Sequence, residues 1–95
     1  GQLVFPAEVE EALHKHPEVK EAAVIGALDP LRGESVRAFV TLKSGASLSE
    51  QELRQFCREH LAHFKLPHSI SFVDTLPKTR SGKVDKTVLK EMVSK

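Results

Sequence analysis

The chain has one cysteine, no tryptophan, no tyrosine and only five phenylalanines. A single cysteine, Cys57, excludes an internal disulfide and fits a reducing compartment. No apolar run is long enough to cross a bilayer. The first residues, Gly1-Gln2-Leu3-Val4-Phe5, lack the basic region of a signal peptide. His14, His16, His60, His63 and His68 have no cysteine partners at zinc-ligand spacing. No repeat and no low-complexity tract occurs. No basic patch is interleaved with aromatics, and Phe64 is the one obvious stacking candidate beside a lysine, which speaks against nucleic-acid binding. These absences lead to the expectation of a soluble intracellular protein, cytoplasmic, with an organelle such as the mitochondrion left open.

What is present is the material of one small folded domain: 95 residues, 40% hydrophobic and 28% charged. Its core is modest, because a chain this short buries a limited share of its surface. The formal net charge of +1 hides an asymmetry. Residues 77–95 carry six Lys/Arg against two Asp/Glu, or +4, while the rest carries eight against eleven, or −3. Such a basic end is either a solvated surface or an anion-binding face. Leu3-Val4-Phe5 is apolar and runs straight into a helical pattern, as a strand or linker cut from a longer protein would.

Pro6 suits the first position of a helix, where its missing N–H costs nothing. Glu8, Glu10 and Glu11 favour the positive end of that helix, and Val9, Ala12 and Leu13 form its apolar stripe. Pro17 ends it near His16, and His14 and His16 are expected to face solvent. Val19 to Ala27 contains the continuous run Ala22-Ala23-Val24-Ile25, which predicts a strand buried on both faces. Asp29-Pro30-Leu31-Arg32-Gly33-Glu34 is punctuated as a long loop. Val36, Ala38, Val40 and Leu42 alternate with Arg37, Phe39, Thr41 and Lys43 as a second strand, so a hairpin is expected. Ser49 and Glu52 form a capping box, with Leu48 and Leu53 at staple positions. Leu53, Phe56, Cys57 and Leu61 line the helix that follows, so Cys57 reads as core and not as a nucleophile. Ile70, Phe72 and Val73 make a third strand. The order α-β-β-α-β-α predicts an α+β fold: a small three-stranded sheet with helices covering its apolar face.

The densest chemistry lies in Leu76-Pro77-Lys78-Thr79-Arg80-Ser81-Gly82-Lys83-Val84-Asp85-Lys86. Ser81-Gly82 signals a turn, since glycine tolerates a positive φ. Lys83 follows at once and is aimed outward. Asp85 is placed to cap a helix running through Val88, Leu89, Met92 and Val93. A lysine so placed reads either as a solvated charge or as a group that reaches a phosphate or carboxylate.

This run resembles the LP-[KR]-T-x-x-GK-[IV]-x-[RK] signature of acyl- and aryl-CoA synthetases. They belong to the adenylate-forming superfamily, with peptide-synthetase adenylation domains and firefly luciferase. Phe5-Pro6-Ala7-Glu8-Val9-Glu10 is similar to the family's YPxEVE segment. Asp29-Pro30-Leu31-Arg32-Gly33-Glu34, with Ala38-Phe39-Val40, is similar to its DxxxGExxxAFV block. Leu61-Ala62-His63-Phe64-Lys65-Leu66-Pro67 is similar to its LAxYKxP block. The blocks stand in family order over essentially the whole chain.

The resemblance implies that residues 1–95 form the small C-terminal domain of a larger ligase, inactive by itself, whose N-terminal domain is absent. The family activates a carboxylic acid with ATP as an acyl-adenylate and then transfers the acyl group to CoA, while the small domain swings between steps. The implied partners are that N-terminal domain, ATP/AMP, CoA and a carboxylic acid, with no nucleic acid and no transmembrane segment. Mg2+ is expected with ATP and not bound by this domain. Lys83 is implied as the catalytic group of adenylation, and Gly82 as the residue that lets the backbone approach. Acetylation of Lys83 would remove its charge and is expected to switch adenylation off. Phe64 packs on adenine and Lys65 meets a phosphate in one reading. In the other, Phe64 closes the core and Lys65 is solvated. Arg80 and Lys78 either help to attract ATP or CoA or are solvent charges. Arg32-Gly33-Glu34 reads as the hairpin loop.

Lys86 stands where the CoA synthetases often carry arginine, and Val84-Asp85 also resembles the GKVDR of peptide-synthetase domains. The acceptor thiol is therefore that of CoA or, alternatively, of a carrier-protein phosphopantetheine. A plain anion- or nucleic-acid-binding module is the remaining alternative.

Overall fold

A proline at its first position and another just after its last turn bound the first helix, α1 (Pro6–His14), in the computed structural model, which describes residues 6–29, 31, 33–62 and 65–93. Val9, Ala12 and Leu13 are its buried face, as the stripe predicts. Two strands follow, β1 (Val19–Asp29) and β2 (Gly33–Leu42), paired antiparallel with Val24 opposite Ala38 and Asp29 opposite Gly33. The hairpin loop is thus shorter than its Pro/Gly punctuation suggests: pairing carries both strands into 29–34, because each residue that finds a cross-strand partner extends the ladder.

Helix α2 (Glu50–Arg58) has the capping box in full: Ser49 Oγ accepts the Glu52 N–H at 3.1 Å, and Glu52 Oε1 accepts the Ser49 N–H at 3.1 Å. Leu48 packs against the cluster that holds Leu53 and Cys57. The helix ends at Arg58 rather than at Leu61, although Leu61 still packs against that cluster. Strand β3 (Ser69–Phe72) joins β2 in parallel, since α2 carries the chain back across the sheet before it begins. Val73 lies one residue past the strand, yet its N–H still reaches the Val40 carbonyl at 2.9 Å. The sheet order is β1-β2-β3, so β1 is an edge. Asp85 caps α3 (Lys86–Val93), its Oδ1 accepting the Val88 N–H at 3.2 Å.

The sheet is covered as expected, and on both of its faces, in keeping with a β1 buried on both sides. Alternation along β1 and β2 sends Ala22, Val24, Val36, Ala38 and Val40 to a core with α1 and α2. Ala23, Ile25 and Phe39 go to a second core with Leu76 and with Leu89 of α3. This division explains the unbroken apolar run in β1.

Two further expectations change. His16 is half-buried, its Nδ1 accepting the Glu18 N–H at 3.1 Å and its ring edge-on to Phe56 at 4.9 Å, so it closes the turn after α1. Among the described side chains of the predicted α3 stripe, Leu89 is buried while Val88 is 37% and Met92 54% exposed. The Val93 side chain, with Leu3, Val4, Phe5, Arg32 and Phe64, lies outside what is described.

Candidate functional site

Residues 77–85 fold into a small hairpin of their own. Lys78 and Val84 form an antiparallel bridge, the Asp85 N–H donates to the Pro77 carbonyl at 2.8 Å, and the Thr79 N–H donates to the Lys83 carbonyl at 2.7 Å. The Gly82 N–H closes the tip on the Thr79 carbonyl at 3.0 Å. The loop is therefore Arg80-Ser81-Gly82, with Gly82 at φ +87°, the positive-φ position that completes a three-residue hairpin turn. Thr79 Oγ1 and Ser81 Oγ lie 3.0 Å apart and tighten the tip further. A Cβ on Gly82 would meet no atom within 4 Å, so within this chain the glycine answers to its dihedral and not to crowding.

The hairpin is rooted in the second core. Leu76 before it and Leu89 after it are 4% and 1% exposed, and Val84 packs against the same cluster. Successive side chains of an extended segment point to opposite sides, so an inward Val84 turns Lys83 outward. Lys83 is exposed, as are Arg80 and Gly82.

Acidic side chains then sort the cations. Lys78 Nζ lies 2.6 Å from Glu21 Oε2 of β1. Lys86 Nζ lies 2.9 Å from Glu10 Oε2 of α1. Among the described residues, neither Lys83 nor Arg80 has an ion-pair or hydrogen-bond partner for its side chain. Of the cations on this hairpin, the two at the tip are thus the ones left to meet an external anion.

Lys65 is placed elsewhere. Its Nζ contacts Glu8 Oε1 at 2.6 Å, on the side of the sheet that carries α1 and α2, so it is neither solvated alone nor gathered with the tip. Phe64 lies outside the described residues. The structure thus brings Arg80, Gly82 and Lys83 together on one hairpin and leaves Lys65 apart. Cys57 is fully buried, and burial pushes its thiol above the usual range, with the Arg54 guanidinium pulling more weakly the other way. That is a core thiol, as expected. Among the described residues no group of three or more His, Cys, Asp or Glu is arranged to hold a metal ion, and no helix is long and apolar enough to cross a membrane.

The reading of residues in order missed Glu10 and Glu21. Glu10 reads as a helix-start acid and Glu21 carries no local signal, and only the fold carries lysines from the far end of the chain to them.

Comparison with known proteins agrees with this architecture. The sequence profile of the AMP-binding enzyme C-terminal domain matches residues 8–83. The mitochondrial medium-chain acyl-CoA ligase of Rattus norvegicus is 44% identical over 93 residues, covering 98% of this chain and 15% of the relative. A probable CoA ligase of Humulus lupulus is 50% identical over 95 residues, covering 98% of this chain and 17% of the relative. Among solved structures, a fatty acyl CoA synthetase of Mycobacterium tuberculosis superposes with a TM-score of 0.92 at 39% identity. That match covers 99% of this chain and 18% of the other. The chain therefore spans less than one fifth of the length of these relatives.

Proposed function

The chain belongs to the AMP-binding enzyme C-terminal domain family, and on that premise we propose that it is the mobile C-terminal lid of an ATP-dependent, AMP-forming acyl-CoA ligase. Its partner is the N-terminal domain of the same protein, which supplies the acyl pocket and most of the ATP site. The carboxylate of the acid attacks the α-phosphate of ATP, and pyrophosphate leaves. The CoA thiol then attacks the acyl carbon, and AMP leaves. Relatives named as CoA ligases favour CoA over a carrier-protein thiol as acceptor. The mitochondrial relative keeps an organelle open beside the cytoplasm as its compartment.

Lys83 acts in the first step. That step brings one anion against another, and charge gathers on the attacking oxygen and the α-phosphate oxygens. A positioned ammonium stabilises this charge with no covalent chemistry. The observation that carries the reading is that Lys83 points outward from a hydrogen-bonded hairpin and has no anionic partner among the described residues. A lysine already paired would have to break that pair in every cycle. Gly82 enables the turn that presents Lys83, and Arg80 adds positive potential at the tip. Phe64 and Lys65 contribute to the CoA nucleotide site when the other face is presented, Lys65 exchanging Glu8 for a phosphate. In this reading Mg2+ accompanies ATP and is held by groups outside this domain.

The test uses the full-length parent, wild type and Lys83→Ala. Carboxylate-dependent ATP–pyrophosphate exchange reports adenylation, and thioester formation from preformed acyl-adenylate reports the second step. Loss of one well-placed electrostatic donor costs about 3–4 kcal/mol, or roughly a thousandfold in rate. Exchange is expected to fall by that order while the second step is largely spared. Equal losses in both steps would refute the assignment.

A further inference from the structure

The cations that flank Lys83 are tied down by acids that converge on one strand edge. Lys78, on the entering stem of the hairpin, pairs with Glu21 of β1 at 2.6 Å. Lys86, first residue of the helix on the leaving side, pairs with Glu10 at 2.9 Å. The same Glu10 oxygen, Oε2, accepts the Val24 N–H of β1 at 2.8 Å. Since β1 is an edge of the sheet, that amide faces away from β2, and the Glu10 carboxylate occupies the place of a further strand. Glu10 thus links α1, the edge of β1 and the start of α3 through one carboxylate.

Apolar anchoring does not do the same job. Leu76, Val84 and Leu89 pack into the second core and set how deeply the hairpin is rooted. Hydrophobic contact is not directional, so it leaves the hairpin free to rock about its root. Charge-assisted hydrogen bonds are directional. One such contact at each end of the hairpin, both referred to β1, fixes the angle at which the hairpin stands on the sheet. Lys83 lies between these two contacts in sequence, next to Val84 of the bridge.

We propose that Glu10 and Glu21 are positioning residues for Lys83: by holding both ends of its hairpin to the edge of β1, they set where its ammonium lies relative to the reacting phosphate. This inference rests on the adenylation role of Lys83 given above. Misplacing a reacting group by about 1 Å costs about a hundredfold in rate. Release of one of two tethers is expected to cost about tenfold.

The experiment uses the full-length parent carrying Glu10→Gln, Glu21→Gln, both together, and each combined with Lys83→Ala. Glutamine at position 10 keeps an acceptor for the Val24 N–H and removes only the charge. ATP–pyrophosphate exchange with radiolabelled pyrophosphate is measured beside thioester formation from preformed acyl-adenylate. Each single variant is expected to lower kcat for exchange about tenfold with little change in KM, and to leave the second step within about twofold. In the Lys83→Ala background neither substitution should lower exchange further, because a residue that acts through Lys83 has nothing left to position. The swap Lys78→Glu with Glu21→Lys should restore most of the exchange lost in Glu21→Gln.

Equal losses in both steps, further loss in the Lys83→Ala background, or failure of the swap to restore exchange would each overturn the proposal and leave the pairs as simple structural contacts. Wild-type exchange in the glutamate variants with Lys83→Ala impaired would overturn this inference alone. Wild-type exchange in Lys83→Ala would overturn the adenylation reading beneath it.

Discussion

Gly45 and Gly82 form an internal control for the site. Both stand at positive φ, +80° and +87°, and a Cβ added at either would meet nothing within 4 Å. Alanine at either position therefore pays a dihedral cost without a packing cost. That cost is about 1–2 kcal/mol for a residue forced into the left-handed region. Asparagine is several-fold enriched there, which corresponds to recovering about 1 kcal/mol of it. In urea unfolding of this chain, with a slope of about 1.5 kcal/mol per M, each alanine variant is expected to lower the midpoint by about 1 M, and each asparagine variant by less. The two positions should agree, because the physics at each is the same.

Their effects on activity should not agree. Gly45 turns the chain after β2, where the Ala46 N–H donates to the Lys43 carbonyl at 3.0 Å. Gly82 closes the hairpin tip immediately before Lys83. Strain at Gly82 is relieved by reshaping that tip, so Gly82→Ala in the full-length parent should lower ATP–pyrophosphate exchange while Gly45→Ala leaves it near the wild-type rate. Stability costs that differ by more than about 1 kcal/mol would refute the claim of a purely dihedral origin. Equal loss of exchange in both variants would refute the link between the tip and Lys83.

Thr41 is 3% exposed and its Oγ1 has no hydrogen-bond partner among the described residues. Thr41→Val removes a buried, unsatisfied hydroxyl at nearly constant shape, so the chain should gain about 1 kcal/mol, or about 4–8 °C in Tm by calorimetry. A fall in Tm would show that the hydroxyl is satisfied. Cys57 gives a pH signature: burial pushes its thiol up, so the folded chain keeps the proton to higher pH than the unfolded chain does. Stability from this group is fully present below the unfolded pKa, about 8.5, and is lost as pH rises above it. Cys57→Ala should flatten that alkaline decline in urea midpoints, and an unchanged slope would assign the decline to other groups.

The elements that were legible from residues alone carry their own local chemistry. Ser49 with Glu52, Pro6, Asp85 and the alternation in β2 each act within a few residues, and each does in the fold what the pattern implies. The hairpin tip was legible for the same reason, since the positive φ at Gly82 is a local demand. The features that were misjudged or left open depend on distant partners. The β1–β2 loop is short because Asp29 finds Gly33 across the ladder. The parallel joining of β3 depends on where α2 returns the chain. Met92 is exposed while Leu89 packs into the second core, a distinction that helical periodicity does not announce.

The ion pairs around the hairpin belong with these distant effects, and their energetics say what they are for. Lys78 and Glu21 are each about one-third exposed, and Lys86 is 41% exposed. Pairs so open to water contribute little to stability, about 0–1 kcal/mol, because water and salt screen them. Their removal should hardly move Tm. What they retain is geometry: two tethers reach the same strand edge from the two ends of one hairpin, and the cations between them are left unpaired among the described residues. Had the same acids paired with Lys83 and Arg80, the net charge of the chain would be identical and the tip would be neutralised. The distinction between a basic tail that is merely solvated and one that presents a cation therefore lies in which lysines Glu10 and Glu21 take. The fold assigns them the two that do not face outward from the tip.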